Sequence, residues 1–542
     1  MFLQTSKAQR TADKKYVDGG GSLLDLIFSA AGGLAKAAEK RFEAAGKPVV
    51  VVSGVGNNGN DGLACACILK SSGIPVTVIR IGDVKKHPAN DTEQLLKKLE
   101  DIGVEISAAN MEFIFSEKLR CLLAGSSCVL DCIFGTGFDP ERGFSDEICG
   151  LISAINEHSL YTISADIPSG VSADSGTCSK PSVIANETVT FGAPKPGHFI
   201  LPGKFHTGKL TVSPILITEG LTDDQAPEYF SKEDSKSVRE LMPKRNPYGN
   251  KYTNGRVLVI AGSRRYAGAA VLAVSAALRS GAGLVTAAVP GGISSTVTAA
   301  CPEAVRLPLG SNSYGSLSMK QLDMLLDASR ISDSVVIGPG LGRLPGTVKT
   351  VVEFLKNTGC RKIIIDADAL FAISVFRNLS EGSNPEFALK YENLFTKKEL
   401  SGGVSRLFDG KEAVLTPHSG EAARLIGVLS EEIESKRLES GFKAARDFGC
   451  TVLLKGSGTV VCTPDGRFTV NGTGNSALSK GGSGDVLSGL IGGLMAQGLC
   501  AYDAARCGAF IHGLAAEKLS EKMSEFAVIP GDLGLAFSEL MC

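Results

Sequence analysis

Tryptophan is absent from the 542 residues, and only six residues are histidine. No indole can therefore stack on a ligand or anchor the chain in a membrane-interface belt. The histidines form no HExxH pair and the 14 cysteines contain no CxxC, so neither a transition-metal site nor a thioredoxin-type motif is spelled out. The nearest cysteines, Cys65 and Cys67, have one residue between them, and all are expected to serve as small buried hydrophobes in a reducing cytosol. No apolar run approaches the ~18 residues that a membrane span needs. The opening MFLQTSKAQRTADKK has no signal-peptide core, so a soluble, cytoplasmic protein is expected. An excess of charge of either sign is also missing: 56 Lys+Arg stand against 57 Asp+Glu. That balance gives no reason to expect a nucleic acid or an anionic membrane as partner.

Glycine is what the chain has in excess. Sixty-four in 542 residues is about 12%, against a usual ~7%, and the surplus clusters at the ends of apolar runs. With 43% hydrophobic and 21% charged residues the composition is that of a globular protein, and the length predicts two or three domains. Short β-branched runs alternate with Ala- and Leu-rich helical segments in two blocks, which predicts two α/β domains with parallel sheets. The first covers 1–219 and the second 251–542. The polar, proline-containing stretch 220–250 reads as a linker.

In the first block three apolar runs end in polar, glycine-rich turns. Val49–Val52 leads into Ser53-Gly54-Val55-Gly56-Asn57-Asn58-Gly59-Asn60-Asp61-Gly62. Cys128–Leu130 leads into Asp131-Cys132-Ile133-Phe134-Gly135-Thr136-Gly137, and Tyr161–Ala165 into Asp166-Ile167-Pro168-Ser169-Gly170. Parallel strands bring their C-terminal ends to one edge, where open α/β sheets bind ligands, so the three turns should converge on one crevice. The first turn lacks the GK[ST] ending of a Walker A loop, yet free N–H groups at a helix start can hold a phosphate. Asn58, Asp131 and the Ser169 region offer hard oxygen ligands, which suit an alkali cation or water better than a soft metal.

The second block ends its runs in Gly338-Pro339-Gly340-Leu341-Gly342, Asp366-Ala367-Asp368-Ala369-Leu370, Thr416-Pro417-His418-Ser419-Gly420-Glu421 and Lys455-Gly456-Ser457-Gly458-Thr459. A hairpin turning at Pro464-Asp465-Gly466 follows. Then comes Asn475-Ser476-Ala477-Leu478-Ser479-Lys480-Gly481-Gly482-Ser483-Gly484-Asp485, opening the helical run VLSGLIGGLMAQGL. Unpaired N–H groups and the helix dipole attract anionic charge there. An Asp at that point can take a hydroxyl proton while the N–H groups hold a transferring phosphoryl group. The plainer alternative is an ordinary N-terminal cap.

GVGNNGNDGL, DCIFGTG, DIPSG and the helical QTSKAQRTADKKYVDGGGSLLDLIFSAAGG resemble an NAD(P)H-hydrate epimerase domain. NKYTNGRVLVIAGS, GPGLG, DADAL, LTPHSGEAARL, LKGSGT and GNSALSKGGSGDVLSG are similar to the ADP/ATP-dependent NAD(P)H-hydrate dehydratases of the ribokinase-like superfamily. Together, in this order, they resemble the bifunctional NAD(P)H-hydrate repair enzymes. The resemblance implies a Rossmann-like three-layer domain followed by a ribokinase-like one. It implies that Asn57, Asn58, Gly59, Asn60 and Asp61, the turn Gly135, Thr136, Gly137, Phe138, Asp139, Pro140 and Glu141, and a catalytic Asp166 meet the hydrated dinucleotide. Potassium would lie at Asn58, Asp131 and Ser169. In the second domain Gly340, His418, Ser419, Gly420, Glu421, Ala422, Ala423, Arg424 and the base Asp485 would meet the hydrate. Residues 455–459 and 475–484 would meet ADP or ATP with Mg²⁺.

The implied chemistry is epimerisation of the C6 hydroxyl of NADHX and NADPHX. Phosphorylation and phosphate elimination would then restore NAD(P)H from the S epimer, with ADP as the donor that the fused arrangement favours and a homo-oligomer as the expected assembly. Asn250, Ser476 and Val55 depart from the family pattern, while Lys251 is retained. A ribokinase-like small-molecule kinase with a non-catalytic N-terminal binding module is the alternative.

Overall fold

The computed structural model of the chain describes residues 1–82, 90–217, 226–383 and 385–541. It divides into two compact units, Phe2–Tyr229 and Phe230–Cys542, with Met1 grouped in the second. Each is built on one sheet, as the alternation of apolar runs and helical segments predicts.

The first unit has seven strands: β1 (Val49–Ser53), β2 (Val76–Arg80), β3 (Glu105–Ala108), β4 (Cys128–Cys132), β5 (Thr162–Ala165), β6 (Glu187–Phe191) and β7 (Lys209–Ser213). They lie in the order β3-β2-β1-β4-β5-β6-β7, every pairing parallel. All five residues of β1 and of β4 are buried, as expected of strands covered on both faces. Helices Leu23–Ala45 and Asn57–Ser71 cover one face through Leu34, Leu63 and their neighbours. Helices Glu117–Ala124 and Asp146–His158 cover the other through Leu119, Leu123, Leu151 and Ile155. The strand order reverses between β1 and β4, so the turns after these two strands diverge and open a crevice at the C-terminal edge.

The second sheet has ten strands: β8 (Glu228–Phe230), β9 (Arg256–Ile260), β10 (Leu284–Pro290), β11 (Val305–Leu309), β12 (Ser334–Ile337), β13 (Lys362–Ile365), β14 (Glu412–Leu415), β15 (Thr451–Leu454), β16 (Thr459–Cys462) and β17 (Phe468–Asn471). Their order is β11-β10-β9-β12-β13-β14-β15-β16-β17-β8, parallel from β11 to β15 and antiparallel through the β16–β17 hairpin. Helices Ala267–Arg279, Ser483–Ala496 and Ala501–Ser520 share a core with Val257, Val274, Leu490 and Phe510. The first two approach closely because glycine lines the contact. A Cβ on Gly489 would lie 2.2 Å from the Ala273 carbonyl oxygen.

The division between the units falls inside the stretch 220–250. Residues 228–230 of it form edge strand β8, where Gly472 N–H donates to Phe230 O at 2.8 Å, and Ser235–Leu241 is a helix. Phe230, Val238 and Met242 are buried in the second core. Three apolar side chains spaced through charged sequence give no strand or helix period, so the segment reads as a connection although it contributes packing. Among the described residues no helix is long and apolar enough to cross a membrane.

Candidate active sites

At the C-terminal edge of the first sheet, β1 ends and the helix Asn57–Ser71 begins after one tight turn. Asn57, Asn58, Gly59, Asn60 and Asp61 are therefore the first turn of that helix. Gly59 is required by contact: a Cβ there would lie 1.9 Å from the Gly54 carbonyl oxygen. Asn60 Oδ1 accepts from Thr92 Oγ1 at 2.8 Å and so braces the helix start. Asn58 Nδ2 donates to Phe134 O at 2.9 Å, across to the turn that follows β4. Its Oδ1 is buried with no hydrogen-bond partner. Asp131, wholly buried at the end of β4, accepts from Ser164 Oγ at 2.8 Å, Ser169 N–H at 2.9 Å and Ser169 Oγ at 2.5 Å. Phe134 N–H donates to Ser169 Oγ at 2.9 Å. Asn58, Asp131 and Ser169 thus gather around the Phe134 backbone, on turns from three strands. Burial pushes the Asp131 carboxyl up, against the hydrogen bonds from Ser169 and Ser164.

The turn 135–141 lies next to this cluster. A Cβ on Gly135 would press on the Asn58 side chain at 3.2 Å, and Thr136 O accepts from Ser6 Oγ at 2.9 Å. Phe138 packs with Phe134 and Phe144, ring centroids 5.1 and 4.9 Å apart. Asp139 Oδ1 caps the short turn Pro140–Arg142 by accepting from Glu141 N–H at 3.0 Å, and Gly137 has open space where a Cβ would be.

Asp166 follows β5 with φ of 63°, a left-handed conformation uncommon for a side-chain-bearing residue. Its Oδ1 accepts from Lys195 Nζ at 2.5 Å and Thr190 Oγ1 at 2.9 Å. Lys195 has no exposed side-chain surface. Burial alone would raise the Asp166 carboxyl, but the Lys195 ammonium and the Thr190 hydroxyl hold it below the usual carboxylate range. Burial, with Lys195 adding to it, lowers His198 to about 4. The neutral ring accepts from Lys195 N–H at Nδ1 (3.0 Å), leaving Nε2 to donate to Asp166 O at 2.8 Å. Asp61 moves the other way: burial and the charges of Asp166 and Asp13 drive its carboxyl well up. One site therefore pushes two carboxyls in opposite directions, Asp61 up and Asp166 down.

In the second unit the order reverses between β9 and β12, and the turns after these strands meet. Ser263 Oγ donates to Gly340 O at 2.7 Å, and Gly340 has φ of 63° with Tyr266 and Ala269 where a Cβ would be. His418 caps the helix Ser419–Ile426: its Nδ1 accepts from Gly420 N–H at 3.1 Å, and its own N–H donates to Glu421 Oε2 at 3.0 Å. Ser419 Oγ bonds Glu434, Ala422 and Ala423 are buried, and burial beside Arg343 lowers the half-buried Arg424.

Asp485 lies in the first turn of the helix Ser483–Ala496, whose N-cap is Gly482 with φ of 103°. Burial, then the carboxylate of Asp366, raises Asp485 to about 7, with Lys455 opposing and Asp368 and Glu421 adding to the rise. Lys455 Nζ donates to Asp366 Oδ1 at 2.9 Å. Thr459 Oγ1 closes the 455–459 turn on Gly456 O at 3.0 Å, bracketing Ser457 and Gly458. Asn475 Oδ1 accepts from Ala477 N–H at 3.2 Å and starts the short turn Ser476–Leu478, and Ser476 Oγ bonds Glu525. Lys480 Nζ is committed to the carbonyls of Phe526, at 2.7 Å, and Val528. Ser479 and Gly481 complete the approach to Gly482. Ser483 Oγ is buried without a partner, as is His512 Nε2 beside it.

The family model for YjeF-related protein N-terminus matches residues 23–197, and that for NAD(P)H-hydrate dehydratase matches 257–386 and 397–536. The bifunctional NAD(P)H-hydrate repair enzyme of Moorella thermoacetica is 35% identical over 503 residues, covering 91% of this chain and 88% of that protein. That of Coxiella burnetii is 31% identical and covers 98% of this chain and 97% of its own. The enzyme of the same name from Escherichia coli is 32% identical over 89% of this chain and 83% of its own.

The chain belongs to the bifunctional NAD(P)H-hydrate repair enzymes.

In this repair enzyme the residues singled out from the sequence fall into two groups, one at each sheet edge. Three side chains at these edges escape a reading of motifs. Lys195 sits in the run FGAPKPGHF after β6, a fourth strand end whose lysine looks like an ordinary surface charge. Asp366 belongs to DADAL, legible as a motif but with no sign of its partner. Arg437, wholly buried, donates from Nη2 to Leu454 O at 3.2 Å and Lys455 O at 3.0 Å, bracing the end of β15 from a helix that looks solvent-facing.

Proposed function

We propose that the chain repairs hydrated NADH and NADPH, its first domain interconverting the two C6 epimers and its second dehydrating the S epimer with a nucleotide. The observation that carries this reading is Asp485 at the opening of the glycine-led helix, beside Lys455, in a member of this family. Hydroxide leaves a ring carbon poorly, so the second site first phosphorylates the C6 hydroxyl. Asp485 accepts the hydroxyl proton, and the N–H groups of Gly481, Gly482 and Gly484 with the Ser483 hydroxyl hold the phosphoryl group. The ring nitrogen's lone pair then expels phosphate. Gly340, residues 418–424 and Asp485 face the hydrate, and residues 455–459 and 475–484 the nucleotide. Residues 455–459 and 475–484 would receive the nucleotide with Mg²⁺, which would neutralise its phosphates.

In the first domain Asn57–Asp61, the turn 135–141 and Asp166 bind the dinucleotide, and the opposite proton preferences of Asp61 and Asp166 suit exchange at C6. Asn58, Asp131 and Ser169 hold potassium, which steadies the three turns. The buried, unpartnered Asn58 Oδ1 supports a hard cation there. No disulfide joins the thirteen described cysteines, which supports a reducing compartment such as the cytoplasm.

The deciding experiment mixes purified protein with both hydrate epimers and follows the return of reduced-nicotinamide absorbance with ADP, ATP or neither. Complete, nucleotide-dependent recovery of both epimers is expected. Recovery without nucleotide, or none at all, would overturn the reading.

A further inference from the structure

The DADAL run at the end of β13 takes no part in the chemistry above, yet its first carboxylate is 1% exposed and ion-paired. Asp366 Oδ1 accepts from Lys455 Nζ at 2.9 Å, and Glu421 Oε2 lies 3.9 Å from the same ammonium. The Lys455 backbone is pinned independently, its N–H donating to Pro417 O at 2.8 Å and its carbonyl accepting from Arg437. Asp366 therefore sets only the direction of the ammonium. That direction is read from Gly484, where a Cβ would lie 3.1 Å from Lys455 Nζ and 3.7 Å from Asp366 Oδ2. The ion pair touches the helix start one residue before Asp485. The backbone is shaped to deliver it: Ala367 takes φ of 48°, and Gly338 clears the Asp366 carbonyl, which a Cβ would meet at 1.8 Å.

We propose that Asp366 is a positioning residue, holding the Lys455 ammonium at the opening of the Ser483–Ala496 helix so that it faces the phosphoryl group arriving at the oxygen Asp485 deprotonates. The proposal rests on the reading of Asp485 as the base. In the step, the C6 hydroxyl proton passes to Asp485 as the new O–P bond forms. The bond from that phosphorus to the bridging oxygen of the nucleoside di- or triphosphate breaks, and its electron pair leaves with the nucleotide. Lys455 stays protonated; one N–H donates to Asp366, Glu421 lies 3.9 Å away, and the ammonium has further N–H bonds to turn toward the transferring group.

The groups facing Asp485 are Asp366 and Asp368 from the end of β13, Glu421 from the helix Ser419–Ile426, and Lys455, with His418 and Arg424 beside Glu421. Removing the Lys455 charge leaves the carboxylates unopposed, so Asp485 ionises at higher pH. Removing the Asp366 charge deletes a like charge and frees Lys455 to pair with Asp485, so it ionises at lower pH.

The test measures dehydration by the full chain across about pH 5.5 to about 9 with saturating ADP and Mg²⁺, reading the acid limb of kcat. Lys455→Gln should move the limb up by about one unit and lower kcat at pH 7 by about 10²–10³-fold. Asp366→Asn should move it down by about half a unit or more, with the KM for ADP changed less than about threefold, and Asp366→Glu should return the limb toward the parent. A role confined to folding would scale the curve without moving it, so limbs that coincide with the parent's overturn the proposal whatever happens to kcat. Should Asp366→Asn fail to fold, Lys455→Gln decides by the same criterion. A parent chain without nucleotide-dependent dehydration would overturn the underlying reading of Asp485, and the positioning role with it.

Discussion

Replacing Asp485 by Asn should abolish dehydration and at the same time stabilise the second domain at alkaline pH. Burial, with Asp366, Asp368 and Glu421 nearby, raises this carboxyl from 3.8 to about 7 in the folded chain. Below the unfolded value both states carry the proton. As pH rises between the two values only the unfolded chain has released it, so folding is progressively weakened, and the loss is complete above the folded value. About three units at ~1.4 kcal/mol each set a ceiling on the order of 4 kcal/mol by pH 8, and solvent screening reduces this to about 1–3 kcal/mol. Asparagine has the same size and cannot ionise. Its second-domain melting transition should lie a few degrees above the parent's near pH 8 and meet it near pH 4. Loss of a general base is worth ~10²–10⁴ in rate, or about 3–5 kcal/mol of barrier. Parental turnover should also fall about tenfold per unit below pH ~7, a dependence the variant should lack. Calorimetry at several pH values and recovery of reduced-nicotinamide absorbance from the S hydrate with ADP measure both effects. Turnover within about threefold of the parent, or a variant melting below the parent at every pH, would refute this account of Asp485.

Lys195→Met strands the Asp166 carboxylate without its buried counter-charge; we expect first-domain stability to fall by about 3–5 kcal/mol in calorimetry and epimerisation to be lost, while the S epimer is still dehydrated. Asp131→Ala unpairs Ser164, Ser169 and the turn N–H, and should weaken epimerase activity and its potassium response with dehydration unchanged; exchanging potassium for a bulky organic cation without effect on the epimerisation rate or the first transition would rule out a cation site. A fragment beginning near Pro227 should dehydrate one epimer and stall on the other. One beginning at Lys251 loses Phe230, Val238 and Met242 from the core and should melt several degrees lower, a difference absent if that segment were only a tether.

Much of each site's location is legible in the residues themselves. Parallel strands deliver their C-terminal ends to one edge, so Asp131, Asp166 and the turn at 54–62 had to share a neighbourhood once the apolar runs were read as strands. Glycines before Asp485 mark a helix start whose N–H groups are free, because local backbone geometry alone creates that feature. The Pro464-Asp465-Gly466 hairpin is local in the same way. Which charge meets which is another matter. Lys195 finds Asp166 across 29 residues and Lys455 finds Asp366 across 89, through a strand order that no local period encodes. Lys480, inside the glycine loop and a natural phosphate contact by its position, is instead tied to the carbonyls of Phe526 and Val528 by a segment that folds back from nearly fifty residues away. Asp139 caps a turn, and the carboxyls of Asp61 and Asp166 are pushed in opposite directions although both are aspartates beside glycine-rich turns. Composition and periodicity determine where a strand ends and what chemistry its end can offer. Burial depth and the nearest opposite charge, which set whether a carboxyl holds its proton, exist only after distant segments have packed.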